Sequence, residues 1–241
     1  MSSGYFASDE AWWVSNGSAE LLDASWARHI RALGNQDSPG GAELLALLDK
    51  LVEMSATGML GFAFDEDVPI EARPILRTAI ADFAREFVAA VEGEVRHESL
   101  AFVAHLEPRW VAWWVATHYA LYEMLGTAMG EPHTLDLDVA PDLDAAARGT
   151  RVAWPLWRFK REPDPPRELA VRRVQADAWR AAGHWVSSSE RTGALYELAD
   201  LEERLGNYEE SAALTEEAAA LETDAAARAV AMEMAAHRRG L

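Results

Sequence analysis

Residues 194–221 constrain this chain more than any other stretch. They read as two amphipathic helical segments meeting at Leu205-Gly206-Asn207-Tyr208. Two helices joined by so short a turn pack antiparallel. Such a hairpin cannot bury its apolar face alone and needs neighbours. The flanking sequence supplies them: residues 167–186, 192–205, 208–221 and 224–239 read as four successive helices with short connections, a helical array.

The hairpin carries a family resemblance over residues 192–223. Ala199, Ser211 and Ala218 are small where the two helices would cross, and Gly206 and Tyr208 stand at the turn. In these respects it resembles a tetratricopeptide repeat. Thr215 departs from the pattern where an aromatic is usual, and Thr223 where proline is frequent. Gly240 follows Gly206 by 34 residues, the period of that family. In that register residues 225–239 are the first helix of a following repeat and would cap the stack. The resemblance implies a protein-binding role.

The upstream half predicts a helical bundle. Ser18 is read as the cap of a helix over residues 19–33, stopped by Gly34. Leu44, Leu47, Leu48 and Leu51 mark a second helix over residues 42–54. A long helix begins at Ala72 or Pro74 and carries Ile80, Phe83, Phe87 and Val91 on one side. It is expected to resume after Gly93 and reach Leu106. The helix from Arg109 to about Met129 has Trp110, Trp113, Trp114, Tyr119, Tyr122 and Leu125 around most of its circumference, which predicts a buried centre. Residues 1–18 read as a short extended segment or docked arm, and residues 57–69 as a loop with an extended piece. Residues 134–139 alternate as in a minor strand. The expected fold is all-α or mostly α: a helical bundle over residues 1–130, a Pro/Asp-rich connection over 131–166, and a tetratricopeptide-like array over 167–241.

Composition narrows the function. The chain has 241 residues, half of them apolar, ten tryptophans, no cysteine and a net charge of −18. Thiolate catalysis, disulfides and cysteine-ligated zinc are excluded. No secretory signal and no apolar run of membrane-spanning length are read, so a cytoplasmic protein away from membranes is expected. The charge repels nucleic acid and attracts a basic protein. Phe62 and Phe64 beside Asp65, Glu66 and Asp67 suit an anchor for such a partner, the rings supplying burial and the acids steering. Glu202, Glu203, Glu209, Glu210, Glu216 and Glu217 form a second acidic surface.

Catalytic signatures are sparse. Glu94 and His97 stand at Glu-x-x-His spacing, which on a helix sets both one turn apart, and His105 lies on the same side. That is the rival reading, a helical-bundle metal enzyme, but it lacks the second copy such sites require. His118 is compatible with a general base or a core histidine. Asp136, Asp138, Asp142 and Asp144 lack the mid-loop glycine and terminal glutamate of a calcium loop and read as a solvated acidic linker. Arg151, Arg158, Lys160 and Arg161 beside Trp154, Trp157 and Phe159 form the one basic stretch, read as a docked loop rather than a nucleic-acid groove. A third reading places a small apolar ligand among Trp110, Trp113, Trp114 and Tyr122. No cofactor is expected. The favoured function is a non-enzymatic interaction protein, such as an immunity protein, antitoxin or adaptor, that binds a basic partner.

Overall fold

The structure is a computed structural model and describes residues 2–55, 61–153, 156 and 163–240. Among them the chain is mostly helical, with one small sheet. It divides into two compact units, Met1–Leu106 with Trp114–Asp138, and Glu107–Trp113 with Val139–Leu241.

The first unit begins with a hairpin. Strands β1 (Ser2–Ala7) and β2 (Glu10–Ser15) pair antiparallel, and β3 (Gly61–Ala63) joins the other edge of β1 in parallel. Strand alternation sends Tyr5, Trp12, Val14 and Phe62 to the buried face. Helices α1 (Asn16–Ala32), α2 (Gly41–Ser55) and α3 (Arg73–Val91) follow, with α1 packed on α2, on α3 and on the hairpin. Tyr5 centres the junction. Its ring stacks on Phe64 at 6.0 Å and meets Trp26 edge-on at 5.5 Å. Helix α4 (Pro108–Ala128) is buried from Trp114 to Leu121, as its all-round apolar sequence predicts, and the Trp12 indole N–H donates to Thr117 Oγ1 at 3.2 Å. Trp110, at the start of α4, is 46 % exposed instead of buried.

Several expectations about this half are corrected. Helix α1 starts before Ser18, because Ser15 Oγ accepts the Ser18 N–H and so caps it. Residues 134–139 pair with no strand, yet they alternate as read: Leu135 and Leu137 are buried while Asp136 and Asp138 face solvent. Helix α3 does not resume as an α-helix. Gly93 sits at φ 96°, a left-handed conformation that a side chain resists, and the chain runs extended before a 3-10 stretch, Glu98–His105.

In the second unit, residues 141–153, within the stretch read as a Pro/Asp-rich connection, form helix α5 (Pro141–Ala153). It packs on α6 (Pro165–Ala181), α6 on α7 (Ser188–Arg204), α7 on α8 (Tyr208–Leu221), and α8 on α9 (Ala225–Arg239). Each helix therefore covers the apolar face of the one before it. Leu195, Leu198 and Ala199 of α7 meet Leu214 and Ala218 of α8 and Ala176 of α6 in one cluster. Helix α7 opens on a capping box, with Ser187 Oγ accepting the Glu190 N–H and the Glu190 carboxylate accepting the Ser187 N–H.

Candidate functional site

The sequence-predicted anchor does not stand as an anchor. Phe62 and Phe64 are 2 % and 0 % exposed and pack on Tyr5. A partner cannot reach them. Two of their acids are used locally: Asp65 accepts the Ser8 N–H at 2.9 Å, and Asp67 accepts the Ala63 N–H at 2.8 Å. Glu66 remains exposed and makes no ion pair. The apolar side chain that solvent does reach nearby is Ile70, 75 % exposed, beside exposed Glu71.

The acidic surface read on α7 and α8 is largely an internal fastening. Glu202 is wholly buried. One oxygen accepts the Arg173 Nε–H at 2.9 Å and Nη2–H at 2.5 Å, and the other accepts Asn207 at 2.7 Å. Glu203 and Asp200 both meet the buried Arg238 of α9, at 2.8 and 2.5 Å. Glu216 pairs with Arg239, which also stands 3.6 Å from Glu209, and Glu217 pairs bidentately with Arg180 at 2.7 and 2.6 Å. Only Glu210 of this group is exposed without an ion pair. Thr215, the departure from the repeat pattern, has a role here. Its hydroxyl accepts Arg238 at 2.5 Å and donates to the Ser211 carbonyl at 2.8 Å, while Ser211 Oγ donates to the Ala199 carbonyl at 2.7 Å. An aromatic at Thr215 would close that polar path from α9 to α7.

The charge consequently lies elsewhere than the glutamate-rich hairpin. The first unit carries 21 acidic and 7 basic side chains, a net −14; the second carries 19 and 15, a net −4. Glu20, Asp37, Glu43, Glu53, Glu66, Glu71, Glu92 and Glu98 are exposed or half-exposed acids of the first unit without an ion pair.

The metal alternative loses its helix. Glu94 is exposed and pairs with Arg96 at 3.1 Å; His97 Nδ1 accepts the Ser99 N–H at 3.2 Å; His105 is exposed. Among the described residues no group of three His, Asp or Glu side chains is placed to hold a metal ion. The aromatics read as a ligand site have these neighbours. Trp110 lies under the Arg109 guanidinium, Tyr122 under that of Arg77, and Trp114 packs on Phe87. In the basic stretch, Trp154, Trp157, Arg158, Phe159, Lys160 and Arg161 lie outside the described residues.

Sequence reasoning missed the polar interior of the first unit. Asp23 is buried and accepts the Tyr5 hydroxyl at 3.0 Å; burial pushes its pKa up to about 8, against the lowering effect of that bond. Burial likewise raises the Tyr5 pKa, reinforced by Asp23. Glu86 differs: burial pushes it up, but hydrogen bonds from Arg28 and from His29 at 2.9 Å hold it below the usual range. His118 is wholly buried among Phe83, Phe87 and Trp114, and neither ring nitrogen has a hydrogen-bond partner. Burial lowers its pKa to about 3, so it is a neutral core residue at pH 7. Its ring nitrogens have no accessible surface to offer a substrate, and the general-base reading has no geometry to support it.

No helix among the described residues is long and apolar enough to cross a membrane. No protein-family model matches the chain, and neither the curated proteins nor the solved structures yield a match.

Proposed function

We propose that the chain is a non-catalytic interaction protein whose first unit receives a basic protein, while the second unit is a tetratricopeptide-like scaffold fastened by its own ion pairs. The observation that carries the reading is the uneven charge, net −14 in one unit against −4 in the other. Unpaired exposed carboxylates speed encounter with a cationic surface, whereas paired ones have little field left to offer. Exposed Ile70 has exposed Glu66 shortly before it and exposed Glu71 directly after it in the chain, acids near an apolar side chain that solvent reaches. An immunity protein or antitoxin that covers a basic toxin fits this use of charge, as does an adaptor.

The test uses the full chain as bait in lysate of the native host at about 50 and 500 mM NaCl, beside a variant with Glu43→Gln, Glu53→Gln, Glu66→Gln and Glu71→Gln. A basic protein captured at low salt, released at high salt and lost to the variant is expected. A partner held equally at both salts and by both baits would contradict the proposal.

A further inference from the structure

Helix α9 ends the array, and its outward side has the wrong chemistry for an end. Helices α6, α7 and α8 each pack between two others, whereas α9 packs on α8 and touches α7 through Arg238. The last helix of a stacked array is expected to be polar on the side that nothing covers. Ala231 and Ala235 of α9 are buried, yet Ala225, Ala229, Val230, Met232, Met234 and Ala236 are exposed. Two of its three arginines are drawn back onto the array, Arg238 by Asp200 and Glu203 and Arg239 by Glu216. Ala225, Ala229, Met232 and Ala236 recur at steps of four, three and four residues, so they form one stripe along the helix, the seam spacing of a paired helix. That spacing reads the same in both directions about the point between Val230 and Ala231.

We propose that two copies of the chain pair through this stripe, antiparallel about a two-fold axis that passes between Val230 and Ala231. The axis sets Ala225 opposite Ala236 and Ala229 opposite Met232 of the second copy, as an isologous contact requires. Three alanines in four let the helices approach closely, and the flexible Met232 side chain fills the space over Ala229. Charge agrees with a second copy as the occupant. The axis brings Arg228 level with Glu233 of the second copy, so a pair of opposite charges recurs on each side of the axis. Residues 225–239 hold three arginines and one glutamate in a chain of net −18, so two copies repel least where these helices meet. The contact uses the second unit alone and does not rest on the basic-partner proposal.

Sedimentation equilibrium of the full chain tests the pairing, at about 300 mM NaCl to screen the acidic repulsion between copies. One helix a side buries less than about 1,200 Å², the size of weak contacts, so a Kd on the order of 100 µM is expected. Ala229→Glu, at an exposed position and with a good helix former, should raise it at least about tenfold, because it sets like charges against each other beside the axis. Circular-dichroism melts establish that the variants are folded. The chain has no cysteine, so Ala225→Cys and Ala236→Cys each carry a single thiol. A short bismaleimide should join the two variants when they are mixed and join neither to itself. A chain monomeric at about 500 µM, pairing undiminished in folded Ala229→Glu, or cross-linking of Ala225→Cys to itself would each overturn the proposal.

Discussion

His118 and Asp23, both buried in the first unit, oppose one another as pH changes. His118 titrates near 6.5 when unfolded and about 3 when folded. Below pH 6.5 the unfolded chain therefore takes up a proton that the native one refuses, and stability falls with pH down to about 3. Asp23 titrates near 3.8 unfolded and about 8 folded. Its native proton stabilises the fold at low pH, and that contribution is lost as pH rises from 3.8 through 8. Each limb has a slope of at most about 1.4 kcal/mol per pH unit. Between pH 3.8 and 6.5 the two contributions oppose one another, so urea denaturation across pH 4–9 should show His118→Phe extending the fall of stability with rising pH down to about pH 4, and Asp23→Asn removing the fall between about 6.5 and 8 while uncovering a loss of stability as pH drops below 6.5. Unchanged limbs would mean that these two side chains are not the groups titrating.

Among the helices, the fastening of α6 to α7 by Arg173 and Glu202 is the most exposed to a single change. Glu202→Gln puts an amide N–H₂ where only acceptors fit, between Arg173 and Asn207. It should cost about 2 kcal/mol, while Glu210→Gln, on exposed α8 surface, should stay within about 0.5 kcal/mol. Urea midpoints measure both. The sequence reveals α8 without error because Gly206 and Asn207 punctuate its start and an uninterrupted apolar-small rhythm follows. It does not reveal what the glutamates of that hairpin do. Their partners, Arg173, Arg238 and Arg239, lie on other helices, and local pattern cannot distinguish an acid facing water from one facing a distant guanidinium. Phe62 and Phe64 mislead for the same reason. Two aromatics at alternate positions beside acids describe an exposed anchor or a strand's inner face, and the parallel pairing with β1 decides it. Ser15 and Ser18 both satisfy the capping rule, and only the backbone of α1 selects Ser15.

For the molecule as a whole, the uneven charge gives the two units opposite responses to salt. A net −14 in the first unit is self-repelling and is relieved by screening; the Arg–carboxylate pairs of the second weaken as screening grows. Hydrogen exchange followed by mass spectrometry should show protection in α1 and α3 falling as NaCl is removed, and protection in α7–α9 rising. A common direction in both would refute the charge assignment. The reach of the first unit's bonds also bears on its birth. The Trp12 indole N–H donates a hydrogen bond to Thr117, 105 residues further on, and Tyr5 lies beside Phe62 in the sheet. A ribosome emits those early aromatics long before their companions emerge. For that interval they are uncovered apolar side chains, and the nascent chain is at its most prone to aggregate.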